Sequence, residues 1–298
     1  MIPYFDLHCD TLGVAFDKGL SLYSESLQAS LSHSDSFSTY IQVGAFWSDY
    51  RYDNEECYVR YKKALSNARA QSIKEVKNHE DLKNGGYILA IEDARIINGN
   101  LSRIYSLKND GVKIITPMWK GENILGGAWD TTVGLSDFGT KAIKKSLLCS
   151  IIIDVSHASE KSFYQIAELT KKHKKSFIAS HSNSYKLCPH KRNLTDDQFN
   201  VIKNQNGIVG ISMVPQHLSL ATANVSSVLS HINHFLSLGG EDTLCLGCDF
   251  DGTDSLPDGI NGVSDISKLY QSVENEFGRI TANKIFYQNA FNFFIRNT

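Results

Sequence analysis

A (β/α)8 barrel of the TIM type is the fold class this sequence predicts, and three observations predict it. Eight short runs rich in β-branched and aromatic residues recur along the 298 residues. Helical or charged segments separate most of them, the alternation that builds a parallel sheet. No glycine-rich phosphate loop follows the first run, which weighs against a doubly wound nucleotide-binding sheet. A barrel of this kind typically takes about 250 residues. With no Pro/Gly/Ser-rich linker and no repeat beyond the alternation, residues 1–298 read as one barrel domain.

In order, the predicted strands are IPYFDLH (2–8), TYIQVGAF (39–46), YILAIE (87–92), VKIITPM (112–118), SIIIDVSH (150–157), SFIASH (176–181), GIVGISMV (207–214) and TLCLGCDF (243–250). Helices are predicted over 55–75, 137–147, 159–173, 195–204 and 225–238, with 263–275 and 281–296 closing the chain. The segment NVSSVLSHINHFLSLGG carries its own signals. Asn224 or Ser226 can cap the start, apolar residues follow at three- and four-residue spacing, and glycines end it. The one long irregular stretch, GLSLYSESLQASLSHSDSFS (19–38), reads as an excursion over the barrel mouth.

Composition narrows the function. Hydrophobic residues make up 42% of the chain, enough for a substantial core, and 30 basic against 32 acidic side chains leave a formal charge of −2. Such a balance supplies no field to attract nucleic acid or an anionic membrane. No run of about 18 apolar residues predicts a membrane helix. The N-terminus lacks the basic region, apolar core and cleavage site of a signal peptide, so cytoplasmic residence is the expectation. Six cysteines in so long a chain form no disulfide framework. Cys245 and Cys248 lie three apart in LCLGCDFDG and so face opposite sides of a strand, as packed thiols and not as a zinc or redox pair.

What ends the strands is the informative pattern. His8 and Asp10 close the first, Glu92 the third, His157 the fifth, His181 the sixth and Asp249 the eighth. In a (β/α)8 barrel these ends converge on one mouth, where chemistry is placed. A lone histidine there is about twice as often a hydrogen-bonded structural residue as a ligand. Three histidines with three carboxylates are a different matter, because a metal centre compensates the burial of all of them together. Residues 8 and 10 share one strand face and Cys9 takes the other, where it reads as a small buried hydrophobe. Mixed imidazole and carboxylate donors suit zinc, with manganese and iron as the other ions such a set accepts. Three histidines and two anionic ligands already exceed what one open catalytic zinc needs and fit a two-metal centre bridged by a carboxylate.

At this point six stretches, DLHCDT, AIEDA, IIDVSH, ASHSN, HKRNLTDD and LGCDFDG, resemble in order and spacing the motifs of the membrane (renal) dipeptidase family, binuclear zinc enzymes of the amidohydrolase superfamily. The resemblance runs from residue 3 to about 262. It implies that His8 and Asp10 bind one zinc, that His157 and His181 bind the second, and that Glu92 bridges the two. It further implies that Arg192 clamps the carboxylate of a small peptide substrate, a planar bidentate task, and that Asp249 is the catalytic aspartate. Dimers are common among relatives, so a homodimer is compatible with it. His231 and His234 fall in a scaffold helix. Two departures stand out: Trp119 occupies the fourth-strand position where characterised mammalian members have a histidine facing the substrate carbonyl, and Asp93 replaces the glycine usual after the bridging glutamate. An indole donates one hydrogen bond but takes up no proton, so polarisation of the carbonyl falls more heavily on the metals.

The reaction so implied is hydrolysis of a dipeptide by a metal-bridging hydroxide, with Asp249 carrying the proton to the leaving amine. The sequence leaves open the side-chain preference and tolerance for a C-terminal D-residue. Two rivals stand beside this reading. One is a metal-dependent phosphoesterase on a related barrel, since DLHCDT superficially resembles that group's opening; the other is a metal-binding relative with weakened catalysis, supported by Trp119 alone. Within the site, Asp251 competes with Asp249 by strand parity. Asp6 and Asp154 are candidates to support ligating histidines from behind, and equally to form a salt bridge inside the barrel. Trp47, Trp119 and Trp129 are candidates to line a pocket, although a tryptophan is more often core or rim packing.

Overall fold

A computed structural model of the protein describes residues 1–297. Eight parallel strands form its sheet: β1 (Pro3–Cys9), β2 (Thr39–Trp47), β3 (Gly86–Glu92), β4 (Val112–Thr116), β5 (Ile152–Ile153), β6 (Ile178–Ala179), β7 (Ile208–Ile211) and β8 (Leu244–Leu246). Each pairs with its neighbour in sequence, and β1 pairs with β8. The ring is completed between β5 and β6 by a bridge of Asp154 to Ile178 and by the Val155 N–H donating to the Ile178 carbonyl at 2.8 Å. This is the TIM-type barrel. All eight predicted runs are present, and the last four are shorter than their sequence patterns because the chain turns into the mouth loops early.

Two apolar layers hold the barrel. Inside, Phe5, Leu7, Ile41, Val43, Ile88, Ile114, Ile152, Ile178, Ile208 and Cys245 fill the lumen, and Phe293 and Phe294 of the C-terminal helix (Asn289–Asn297) close one end of it. Outside, the alternate residues of the strands pack beneath the helices, Cys248 among them. Cys245 and Cys248 therefore do face opposite layers, and all six cysteines are free.

The predicted helices form, with caps that their sequences supply. Asn54–Ala70 opens on Asp53, whose carboxylate accepts the Glu55 and Glu56 N–H groups while Glu56 returns to the Asp53 N–H. Val225–Ser237 is capped by Asn224, which settles the choice against Ser226. The predicted 281–296 helix is interrupted by a π turn at Lys284–Gln288. Four α-helices lie outside the predicted set: Thr11–Lys18, His79–Asn84, Ser102–Asn109 and the short Pro215–Leu218. Residues 19–38 hold only one short 3-10 turn, Leu31–Ser36, and reach the mouth, where the Gln28 N–H donates to Asp251 Oδ1 at 2.8 Å. Among the described residues no helix is long and apolar enough to cross a membrane.

Candidate metal centre and substrate cavity

The first strand does not deliver its ligands by simple alternation. Phe5 and Leu7 point into the lumen, so strict parity would turn Cys9 inward and His8 outward. Between Asp6 and Cys9 the register with β2 slips, three steps on β1 matching two on β2, from Gln42 to Gly44. One extra residue reverses the parity, as a bulge does. His8 now faces the mouth and Cys9 joins the outer core. Asp6 stays on the outer side, accepting from the Tyr4 hydroxyl at 2.5 Å and from the His8 and Cys248 N–H groups at 2.9 and 3.0 Å. The expectation that Asp6 backs a ligating imidazole is thereby corrected: it pins the backbone of β1 to the end of β8.

The six strand-end residues converge. His8 Nε2 lies 3.8 Å from Asp10 Oδ2, 3.7 Å from Glu92 Oε1 and 3.7 Å from Asp249 Oδ1. Glu92 Oε1 also lies 2.9 Å from His157 Nε2 and 3.6 Å from His181 Nε2, and those two nitrogens are 2.9 Å apart. Three overlapping donor groups result: His8–Asp10–Glu92, Glu92–His157–His181 and His8–His181–Asp249. Glu92 belongs to the first two.

Whether a cation fits can be read from the protons. His157 Nδ1 donates to the Trp119 carbonyl at 2.9 Å, and burial, then Arg192, hold its pKa below the usual imidazole value. Burial and the His8 charge hold His181 lower still. A neutral ring that donates through Nδ1 carries a lone pair at Nε2. His157 Nε2 and Glu92 Oε1, 2.9 Å apart, therefore meet as two acceptors with no proton between them. His8 Nε2, Asp10 Oδ1 and Glu92 Oε1 are buried without any hydrogen-bond partner. The carboxylates strain against one another as well. Burial, then Glu92, push Asp10 up to about 6; burial, then Asp10 and Glu92 against the pull of His8, push Asp249 up to about 7. Burial opposes ionisation of Glu92 too, but its neighbours, the charge of His8 first, outweigh it and keep its pKa low. One or more divalent cations would relieve all of these conflicts at once.

The centre opens into a cavity of about 490 Å³. Arg192 lines it, although the residue is only 4% exposed. Its Nη2 lies 3.2 Å from His157 Nε2 and 3.4 Å from the His181 carbonyl, Nη1 has no partner, and no carboxylate pairs with it among the described residues. Trp119 is also in the wall, its ring 4.9 Å from that of Trp47 and stacked at 5.8 Å on that of Tyr50. Trp129 completes the predicted aromatic lining, 5.5 Å from the His190 ring.

Asp249 and Asp251 separate clearly. Both have left-handed backbone, φ 61° and 65°, so strand parity no longer applies to them. Asp251 is saturated by Thr11 Oγ1 at 2.6 Å and by the Gln28 and Ala29 N–H groups. Asp249 instead borders the donor set, and Gly252 makes that approach feasible: a Cβ there would lie 2.2 Å from Asp249 Oδ1 and 2.3 Å from Asp10 Oδ2.

Asp93 also has an account now. It sits at φ 60°, which explains why glycine suits the position. Fully buried, it accepts from Arg95 Nε at 2.9 Å and from Asn123 Nδ2 at 2.6 Å, while the same Asn123 amide donates to the Pro117 carbonyl. The aspartate thus ties the end of β3 to the loop that carries Trp119. His231 and His234 are scaffold as expected, bonded to the Leu218 carbonyl and Asp196. Two features escaped the sequence. His217 lines the cavity with a buried, unpartnered Nδ1, and burial, then Arg192, lower its pKa to about 2. Ser180 stands behind the ligand set, 2.7 Å from His181 Nδ1. A serine directly preceding the sixth-strand histidine was the one available signal for it.

Comparison with known proteins bears on the family and the fold. The sequence profile of the membrane dipeptidase family, peptidase family M19, matches residues 27–295. A relative from Klebsiella pneumoniae, the uncharacterized protein in the pqqA 5' region, is 31% identical over 214 residues, which is 67% of this chain and 77% of its own length. Dipeptidase AC, a metallo peptidase of family M19, superposes with a TM-score of 0.90 at 21% identity, covering 99% of this chain and 98% of its own. A metallo peptidase from Rhodobacter sphaeroides liganded with a phosphinate mimic of the dipeptide L-Ala-D-Ala gives 0.91 at 20% identity, covering 100% and 99%. At such identities the two superpositions establish the fold.

Proposed function

The chain belongs to the membrane dipeptidase family and is a metallo-dipeptidase, and on that premise we propose that it cleaves dipeptides with two zinc ions. His8 and Asp10 hold the first ion, His157 and His181 the second, and Glu92 both. Residues 1–298 act as one catalytic barrel. When bound, the ion pair supplies Lewis-acid polarisation of the scissile carbonyl and acidifies a water molecule. Everything else falls to the side chains. Arg192 receives the C-terminal carboxylate of the substrate through its free Nη1, which limits substrates to those ending one residue beyond the cut. Asp249 takes the proton of the attacking water and hands it to the departing amine. Trp119 exchanges no proton and packs against the substrate, with its carbonyl orienting His157.

One observation carries this reading more than any other: a buried arginine without a carboxylate partner stands 3.2 Å from the histidine at the edge of the donor set. A buried unpaired cation is costly, and a peptide carboxylate would offset that cost only at the moment of binding. We extend the substrate range to dipeptides with a C-terminal D-residue, because the Rhodobacter sphaeroides neighbour carries an L-Ala-D-Ala mimic. The test is a screen of zinc-loaded protein against L,L and L,D dipeptides, their C-terminal amides, and sugar phosphates. Cleavage of both free-acid series, with the amides untouched, is the expected result. Phosphate release without dipeptide cleavage would replace the proposal with a phosphoesterase.

A further inference from the structure

One hydroxyl touches both halves of the donor set. Ser180 Oγ lies 2.7 Å from His181 Nδ1 and 3.3 Å from His8 Nδ1, and it donates to Asp154 Oδ2 at 2.6 Å. A serine hydroxyl has one proton and two lone pairs. With its proton committed to Asp154, Ser180 can only accept from the two rings, so each must present an Nδ1–H. In its neutral form each imidazole then carries its lone pair at Nε2, the atom that approaches Glu92 Oε1 in both residues, at 3.7 and 3.6 Å.

Asp154 has no freedom to release that proton. Its Oδ1 accepts from the Ser156 N–H at 3.0 Å, the Ser156 hydroxyl at 2.7 Å and the Ser180 N–H at 2.9 Å, and its Oδ2 accepts from Thr116 Oγ1 at 2.7 Å. Ser156 Oγ lies 3.1 Å from Ser180 Oγ, but its own proton goes to Asp154, and its lone pair accepts the His181 N–H at 3.1 Å. Ser180 is 1% exposed and Asp154 fully buried, so water does not compete for these bonds. The third histidine is independent of this arrangement: His157 Nδ1 is satisfied by the Trp119 carbonyl.

We propose that Ser180, held by Asp154, is the positioning residue that sets the tautomer and aim of His8 and His181 together, tying the two metal sites to one hydroxyl. The inference rests on the assignment of these histidines to two ions, and its test separates the two claims. Long-range proton–nitrogen NMR on the metal-free, histidine-labelled protein reads the tautomers directly. The wild type should show His8, His157 and His181 all protonated at Nδ1; Ser180→Ala should leave only His157 so fixed. Zinc affinity, measured with zinc alone against a chromophoric chelator, should fall about tenfold or more at both sites in Ser180→Ala, the usual effect of losing an outer partner of a ligating histidine. A neutral His8 or His181 protonated at Nε2 and bare at Nδ1 in the wild type would overturn the proposal, and so would weakening at one site only or at neither. Should Ser180→Ala fail to fold, the wild-type tautomers decide alone. A wild type that binds no zinc refutes the two-metal assignment while leaving the tautomer result to stand or fall by itself.

Discussion

The two halves of the donor set are built differently. Around His8 the neighbours are carboxylates, Asp10, Asp249 and Glu92, each 3.7–3.8 Å from Nε2. Around His157 the neighbours are another imidazole at 2.9 Å, the shared Glu92 at 2.9 Å, and a guanidinium at 3.2 Å. One half gathers negative charge and the other stands against Arg192. The cavity is therefore polarised along its length, and a dipeptide is polarised too, with an ammonium at one end and a carboxylate at the other. On the proposed reading the substrate enters with its carboxylate toward the His157 half. On the same proposed reading the halves have different tasks, the anionic half supplying charge and the proton carrier and the histidine half orienting the substrate.

The strongest way to break this contrast is to remove what the halves share. Glu92→Ala should abolish dipeptide hydrolysis and leave about no zinc by elemental analysis, since the carboxylate belongs to two of the three donor groups; retention of one full equivalent would show that it does not bridge. Asp249→Asn should keep metal yet lower kcat by about 10²–10⁴, the usual worth of a general acid–base group. If it lost metal in proportion to activity, Asp249 would be a ligand first. Arg192→Ala should act on the opposite half, raising KM roughly tenfold or more with a smaller change in kcat, because it removes a contact shared by ground and transition states. A kcat loss at constant KM would place Arg192 in the chemical step instead. The smallest effect is one of pH. In the metal-free protein burial and neighbouring charges raise Asp10 to about 6 and Asp249 to about 7. Both therefore hold protons near pH 6 that a metal must expel, and zinc uptake should release more protons at pH 6 than at pH 8, by calorimetry in buffers of different ionisation enthalpy.

Much of this was legible beforehand because strand-end placement survives small errors of register. The eight strands and all six converging side chains lie where their residue types and order implied. What the sequence concealed was local. The bulge between Asp6 and Cys9 reverses the facing of His8, so the parity that puts His8 and Asp10 on one strand face fails three residues earlier, at Phe5. Asp251 looked equivalent to Asp249 because a period of two cannot describe left-handed backbone. Asp6 resembled Asp154 in its spacing, yet one lies outside the barrel wall and the other within. Arg192, in the basic stretch HKRNL, is buried although arginines mostly lie at the surface. Ser180 and Asp93 act through hydrogen-bond partners distant in sequence, at Asp154, His8 and Asn123, and no local pattern encodes those.

The central claim is that two metal ions occupy two separable halves of one site. Zinc content per chain of the wild type and of His157→Ala, measured together by elemental analysis after dialysis, tests it most directly. The account predicts about two equivalents in the wild type and about one in the variant; equal metal content in the two proteins would contradict it.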